Sequence, residues 1–419
     1  LIKIISDAFG KDRNKMYLLY IVLYLAFCSL SFIQNTAKGD EKEFHIPTAI
    51  NINENLFATI FGEGYLSANT PLPYIIVDSA GQLFGINLIV VRTSTAIISF
   101  ISLIMFSVLI GANSKKPVYY ASLPFLFYPY FLMCSFVFYT PVYGLLFALL
   151  AFWFLLNIEN RVSQFLFGLS SSFAILSQQF YIVIPAAVIM WRVWLLVKDR
   201  RKTSSIKKQI ISILLISIPL LLPLWLFVKW KGLLHPMSQC HNISFHIENL
   251  TAVFTVLGLV FIPFVISLKK IDKKTIFIFA PVSLILGIFF APQWGDSQGP
   301  GIFPGITFHI LHIIENFSPI FSTALNVILV FFGLLLIYSM FDYVENDWEK
   351  QLFFIGILLI GVYSFNTILG EKHLLGLVTV LFLLIIPRLK QFTLKAYILG
   401  MSVIGTLYFS YWLYLKNTG

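Results

Sequence analysis

Apolar residues run along this chain in blocks, and the blocks are too long for strands. Thirteen of them read as membrane spans: 16–33, 86–110, 118–136, 141–158, 163–179, 180–197, 209–228, 251–268, 275–291, 318–341, 352–369, 374–388 and 395–415. About 20 largely apolar residues cross about 30 Å of hydrocarbon. A β-barrel would instead alternate over stretches of about ten residues, and no such alternation occurs. The pattern predicts an all-α polytopic membrane protein. The pairs 118–136/141–158 and 163–179/180–197 are each joined by only a tight link. Three polar segments of some size lie between spans: 34–85, 229–250 and 292–317. Within the first, Ile46, Ala49, Ile50, Phe57 and Ile60 recur near helical spacing, which predicts a helix over 46–61 lying in the membrane interface. A second such helix is predicted over 70–85, opened by Pro71 and Pro73. The chain divides into a transmembrane module over 1–228, carrying the loop 34–85, and a C-terminal module over 229–419, carrying the loops 229–250 and 292–317.

Composition sharpens this. The 419 residues are 58% hydrophobic and 11% charged, where soluble domains hold about 25% charged residues. The net charge of +10 sits in short loops between spans, so it reports topology and gives no reason to expect a nucleic-acid partner. Lys3, Lys11, Arg13, Lys15, Lys115, Lys116 and the stretches 198–208, 269–274 and 388–395 fall on one face if the N-terminus is cytoplasmic. The positive-inside rule then turns 34–85 outward, to periplasm or lumen, of a bacterial inner membrane or an ER membrane. The first apolar run lacks an A-x-A-like cleavage site and reads as a retained span. Cys28, Cys134 and Cys240 have no metal-ligand spacing. All seven histidines fall in the outward segments.

The candidate chemistry gathers on that outward face. "GDEKEFH" (39–45) crowds Asp40, Glu41, Glu43 and His45 just beyond the first span. Close carboxylates beside a histidine suit general-base work. Asp40 and Glu41 are both candidates for the base. Cations share the face: Lys229, Lys231, Lys372, His373 and Arg92, which enters the second span and suits an anion such as phosphate. Gln178 and Gln179, at the outer end of a span, suit hydrogen bonding to a sugar or between helices. The Gly- and Pro-rich segment 292–312 reads as a flap carrying Trp294, Asp296, His309 and His312. His309 and His312, three apart, could share a helix face and hold a divalent metal, but with neither HExxH nor a cysteine cluster a metal is not indicated.

In their order these residues resemble the GT-C superfamily of polytopic glycosyltransferases that use polyprenyl-phosphate sugars. The acidic pair after the first span is Asp40–Glu41, followed by His45. A Pro-containing segment is "TPLPYII" (70–76), an "lfG…R" segment is "LFGINLIVVR" (83–92), and a later one is "GLSSSFAILSQQF" (168–180). The late turn corresponds to the start of "EKHLLGLVTVLFLLIIP" (371–387). The chain departs from the pattern at Gln178, where Lys or Arg is usual, and at His373, where Tyr is usual. The resemblance implies a GT-C-like fold and an inverting transferase. A polyprenyl-phosphate sugar would be the donor, and the hydroxyl of a glycan, lipid or protein the acceptor. It also implies membrane lipids and the lipid-linked donor as partners, catalysis by Asp40 or Glu41, and substrate binding by His45, Arg92, Gln178, Gln179, Asp296, Lys372 and His373. Two other readings of a polytopic polyprenyl-lipid protein are a lipid carrier or flippase and an O-antigen polymerase or ligase. The near absence of charge at mid-span argues against a transporter.

Overall fold

The computed structural model describes residues 13–32, 36–37, 39–113, 120–198, 203–236, 244–267, 273–294, 302–303, 305–365 and 371–415. The regular structure of these residues is helix, apart from one two-residue parallel pairing of 293–294 with 302–303. Asp296, His241, Lys115, Lys116 and parts of the basic stretches 198–208 and 269–274 lie outside the described residues. Helices occupy all thirteen predicted apolar stretches. Among the described residues, however, only five are long and apolar enough to cross a membrane: Leu88–Asn113, Gln179–Lys198, Ile206–Trp230, Ile247–Ser267 and Pro319–Tyr343. A bent pair makes a sixth when it is taken as one span. The chain is an integral membrane protein, and the expected count of thirteen spans is not reached by this measure.

The chain forms two compact units, residues 1–240 with 400–419, and residues 241–399. In chain order the first unit contains α1 (Arg13–Phe32), a π-helical turn (Glu41–His45), α2 (Ile46–Glu54), α3 (Leu56–Phe61), α4 (Leu72–Phe84), α5 (Leu88–Asn113), α6 (Leu123–Leu126), α7 (Pro129–Phe136), α8 (Pro141–Leu155), α9 (Arg161–Ile175), α10 (Val183–Lys198), α11 (Thr203–Ser217) and α12 (Leu221–Trp230). The predicted helix over 46–61 is broken at Asn55, whose side chain accepts from the Ala58 N–H and starts α3. Such a cap satisfies an N–H that the helix itself leaves unpaired. Ala49, Ile52 and Ile60 face inward, whereas Ile50 and Phe57 are exposed.

The pair predicted as spans 118–136 and 141–158 is the centre of this unit. α7 and α8 meet at 112° across the four residues 137–140, and every residue from Ala121 to Leu146 is buried. Pro141 stands in the first turn of α8. Having no N–H, it suits a helix start and not a helix interior, so the chain turns back here. α1 and α5 pack alongside, with Tyr20 bonded to Ser122 and Tyr24 to Ser99. An apolar surface all round a helix is expected for one enclosed by others.

The second unit contains α13 (Ile247–Ser267), α14 (Lys273–Phe289), α15 (Ile306–Phe317), α16 (Pro319–Tyr343), α17 (Asp347–Tyr363) and α18 (Leu375–Ile385), with the first part of α19 (Gln391–Leu415). Its tightest seam is between α13 and α16. A Cβ on Gly258 would collide with the Leu329 carbonyl, and one on Gly333 with the Phe254 carbonyl. The reciprocal four-residue steps run in opposite directions, so the helices are antiparallel, and glycine lets the two backbones touch. Asn326 clamps the seam: it accepts from the Thr255 hydroxyl at 2.9 Å and donates to the Gly287 carbonyl at 3.2 Å. Gly258→Leu is expected to force the helices apart and cost about 1–3 kcal/mol. Gly361→Ala, whose added methyl meets nothing within 4 Å, is expected to be neutral or mildly stabilising. Melting temperatures of the two purified variants in one detergent check the contrast.

Segment 292–312, expected to be a flap, is helical from residue 306 onward. The buried Glu371 carboxylate accepts from the Thr307 N–H at 2.8 Å, at the start of α15. A carboxylate there satisfies an unpaired N–H and complements the helix dipole.

Candidate active site

The acidic cluster is wound into a π-helical turn. Gly39 opens it in the left-handed region, at φ 53°, and its carbonyl accepts from the Lys42 and Glu43 amides. The wider i→i+5 winding of such a turn brings residues four and five apart onto one side. Glu41 and His45 are accordingly buried, Asp40 is half-buried, and Lys42, Glu43 and Phe44 are exposed. The two neighbouring carboxylates thus sit in different environments.

Glu41 is 1% exposed and Arg92 2%. Arg92 Nη2 donates to Glu41 Oε2 at 2.7 Å, and Arg92 Nε to Oε1 at 3.1 Å. The Phe138 backbone N–H donates to the same Oε1 at 3.0 Å. Arg92 also donates to the Thr36 carbonyl at 3.3 Å. Taking two ions out of water costs several kcal/mol each, and a bidentate fork with an added amide is the geometry that offsets it. One carboxylate therefore ties together the turn, α5 and the apex between α7 and α8.

That apex supplies the other walls. His45 packs against Tyr74, Phe138 and Tyr139, with ring centroids 5.9, 5.7 and 5.8 Å away. Its Nδ1 lies 2.8 Å from the Tyr74 hydroxyl. Tyr74 donates in turn to Ser67 at 2.5 Å. Burial pushes the Tyr74 phenol well above its ordinary value; bonds to Ser67 and Asn69 oppose this, and the Asp40 charge adds to it. The phenol is therefore un-ionised, and stays a hydrogen-bond donor at neutral pH.

Residues 65–72 are laid against the end of α9. Thr70 donates to the Ile175 carbonyl at 2.8 Å, the Leu72 amide to the Leu176 carbonyl at 2.8 Å, and Gln179 to the Ala68 carbonyl at 3.0 Å. "TPLPY" and "ILSQQF", about a hundred residues apart, thus become neighbours. Among the described residues, the buried Gln178 Nε2 and Gln179 Oε1 find no hydrogen-bond partner.

Of the residues singled out in the sequence, Asp40, Glu41, His45, Arg92, Gln178 and Gln179 belong to the first unit. Lys372 and His373 lie half-buried in the second, beside Glu371, and the Tyr363 hydroxyl donates to the His373 carbonyl at 2.7 Å. Phe138, Tyr139, Tyr74 and Ser67 were not singled out. Tyr74 lies inside the "TPLPYII" segment, but Phe138 and Tyr139 sit in an apolar run whose only mark is the break before Pro141. Among the described residues, no three His, Cys, Asp or Glu side chains come together as a metal site.

No family model and no curated protein matches the chain. Among solved structures it is similar to ArnT from Cupriavidus metallidurans bound to undecaprenyl phosphate. The identity is 12%, over 95% of this chain and 79% of that one, with a TM-score of 0.42. Against the same protein in the apo state the values are 12%, 94%, 78% and 0.43.

Proposed function

We propose that this chain is a GT-C-type membrane glycosyltransferase that moves a sugar from a polyprenyl-phosphate donor to an acceptor hydroxyl, with inversion at the anomeric carbon. The observation that carries this reading is the unequal treatment of two adjacent carboxylates on the turn after the first span. Glu41 is fully engaged by Arg92 and Phe138, whereas Asp40 is half-buried at the start of the turn. A general base must reach an incoming hydroxyl, and a carboxylate sealed by a guanidinium does not. We therefore assign the base to Asp40, and to Glu41 and Arg92 the task of holding the turn.

The chemistry asks little else. The acceptor oxygen forms the new bond to the anomeric carbon while the bond to the phosphate oxygen breaks. The polyprenyl phosphate departs with the electron pair, and the acceptor proton goes to Asp40. A phosphate leaves without protonation, so its charge needs a cation; Lys372 and His373 are kept as candidates for binding substrate. His45, Gln178 and Gln179 are assigned to substrate contacts; the unmet hydrogen-bonding capacity of the two glutamines supports this. Asp296 is kept as a further candidate. We place the site on the periplasmic or lumenal face, with the N-terminus in the cytoplasm, as the distribution of Lys and Arg supports.

Purified protein is to be incubated with radiolabelled polyprenyl-phosphate sugars and a lipid extract. Transfer of label to an acceptor, with release of polyprenyl phosphate, is the expected result. Flipping of intact donor across vesicles, with no bond broken, would replace the transferase by a carrier.

A further inference from the structure

Hydrogen-bond directions around His45 decide which ring nitrogen carries hydrogen. Ser67 Oγ accepts from the Asn69 amide at 3.1 Å and from the Tyr74 hydroxyl at 2.5 Å. A phenol has a single hydrogen, and Tyr74 directs it at Ser67. Its oxygen therefore meets His45 Nδ1, at 2.8 Å, as an acceptor. Nδ1 is the nitrogen bearing hydrogen, and in the neutral ring Nε2 carries the lone pair. The ring is 5% exposed and bounded by Tyr74, Phe138 and Tyr139, so it is held against rotation.

Asp40 stands one π turn before His45, on the same side of the winding. Its carboxylate is within electrostatic range of Tyr74 and Tyr139, two of the rings around the imidazole. Glu41 and Arg92, the buried charges beside this turn, neutralise each other, and Lys42 and Glu43 on the turn itself are exposed. Tyr65 lies behind Tyr74, with ring centroids 5.9 Å apart.

We infer that Tyr74 is a positioning residue for the transfer reaction: with Ser67 it holds His45 in its Nδ1–H form, so that Nε2 accepts the proton Asp40 takes from the acceptor. The inference rests on the transferase reading above. The acceptor proton passes to the Asp40 carboxylate and then to His45 Nε2, giving an imidazolium whose Nδ1–H still bonds the phenol. Loss of a proton to water restores the neutral ring.

Two measurements test this. In protein labelled with 15N in its histidine rings, long-range proton–nitrogen correlation is expected to show His45 as the Nδ1–H tautomer, identified by its loss in His45→Gln. An Nε2–H tautomer would overturn the inference. In the transfer assay, Tyr74→Phe is expected to lower kcat about tenfold with KM for the donor little changed. It should also move the acid limb of the pH profile downward, because the phenol oxygen stabilises the imidazolium more than the neutral ring. Ser67→Ala, which removes only the distal acceptor, is expected to act in the same direction but less, and it carries the test if Tyr74→Phe fails to fold. Wild-type kcat and pH profile in the variant that folds would remove the relay and leave the transferase standing. No transfer by the wild-type protein would remove both.

Discussion

Asp40→Asn is expected to reduce sugar transfer by about 10²–10⁴-fold, the usual range for loss of a general base, without lowering the melting temperature. Asparagine keeps the shape of the side chain and removes its ability to take a proton. Asp40 is half-buried and makes no side-chain cap to its own turn, and the isosteric amide fills the same space. Initial rates with saturating labelled donor, read beside a melting curve in the same detergent, give both numbers. Full activity in Asp40→Asn, with activity lost in Glu41→Gln at an unchanged melting temperature, would exchange the roles of the two acids.

Glu41→Gln is expected to do something different: destabilise the protein by about 3–5 kcal/mol, the cost of leaving one member of a buried ion pair without its partner. Arg92 is 2% exposed and would keep its charge, facing an amide that cannot return a two-oxygen fork. The Phe138 amide would share the one remaining oxygen. Arg92→Met should cost a similar amount by stranding the carboxylate. Joining the same two changes, Glu41→Gln with Arg92→Met, removes both charges, so its effect should fall well short of the sum. Activity is expected to follow stability across this series, since the pair positions the turn. Melting temperatures of all four proteins decide the matter. Strict additivity would mean that the two side chains do not act as a pair.

The contrast between these neighbours is not encoded locally in the sequence. "GDEKEFH" placed both acids on an outward segment beside a histidine, and nothing in the letters separated Asp40 from Glu41. Their separation follows from the π-helical winding, which turns residue 41 inward, and from an arginine 51 residues later in the chain. Arg92 drew attention as a charge entering a span. From the sequence alone, an arginine near the rim of a span suits an anion such as phosphate. In the folded chain its partner is Glu41.

The apex at 137–140 was missed for a related reason. Residues 118–158 are apolar nearly throughout, so periodicity gave no face, and length alone suggested two spans. A helix buried on all sides carries no amphipathic signature of what it touches. The fold bends this run by 112° and brings a backbone amide and two aromatic rings to the acid turn. "TPLPYII" (70–76) and "GLSSSFAILSQQF" (168–180) are likewise separate motifs in the sequence, and only folding lays one against the other.

What the amino-acid order determined by itself was local and statistical: apolar blocks long enough for helices, interruptions at Pro and Gly, and acids, histidines and cations placed between spans. Those depend on hydration and backbone preference, which act within a few turns of chain. The tertiary structure decided which polar groups are buried against a partner and which stay partly exposed. That depends on contacts between residues 51 to 111 positions apart, where burial makes every charge find a partner and the pairing is set by packing.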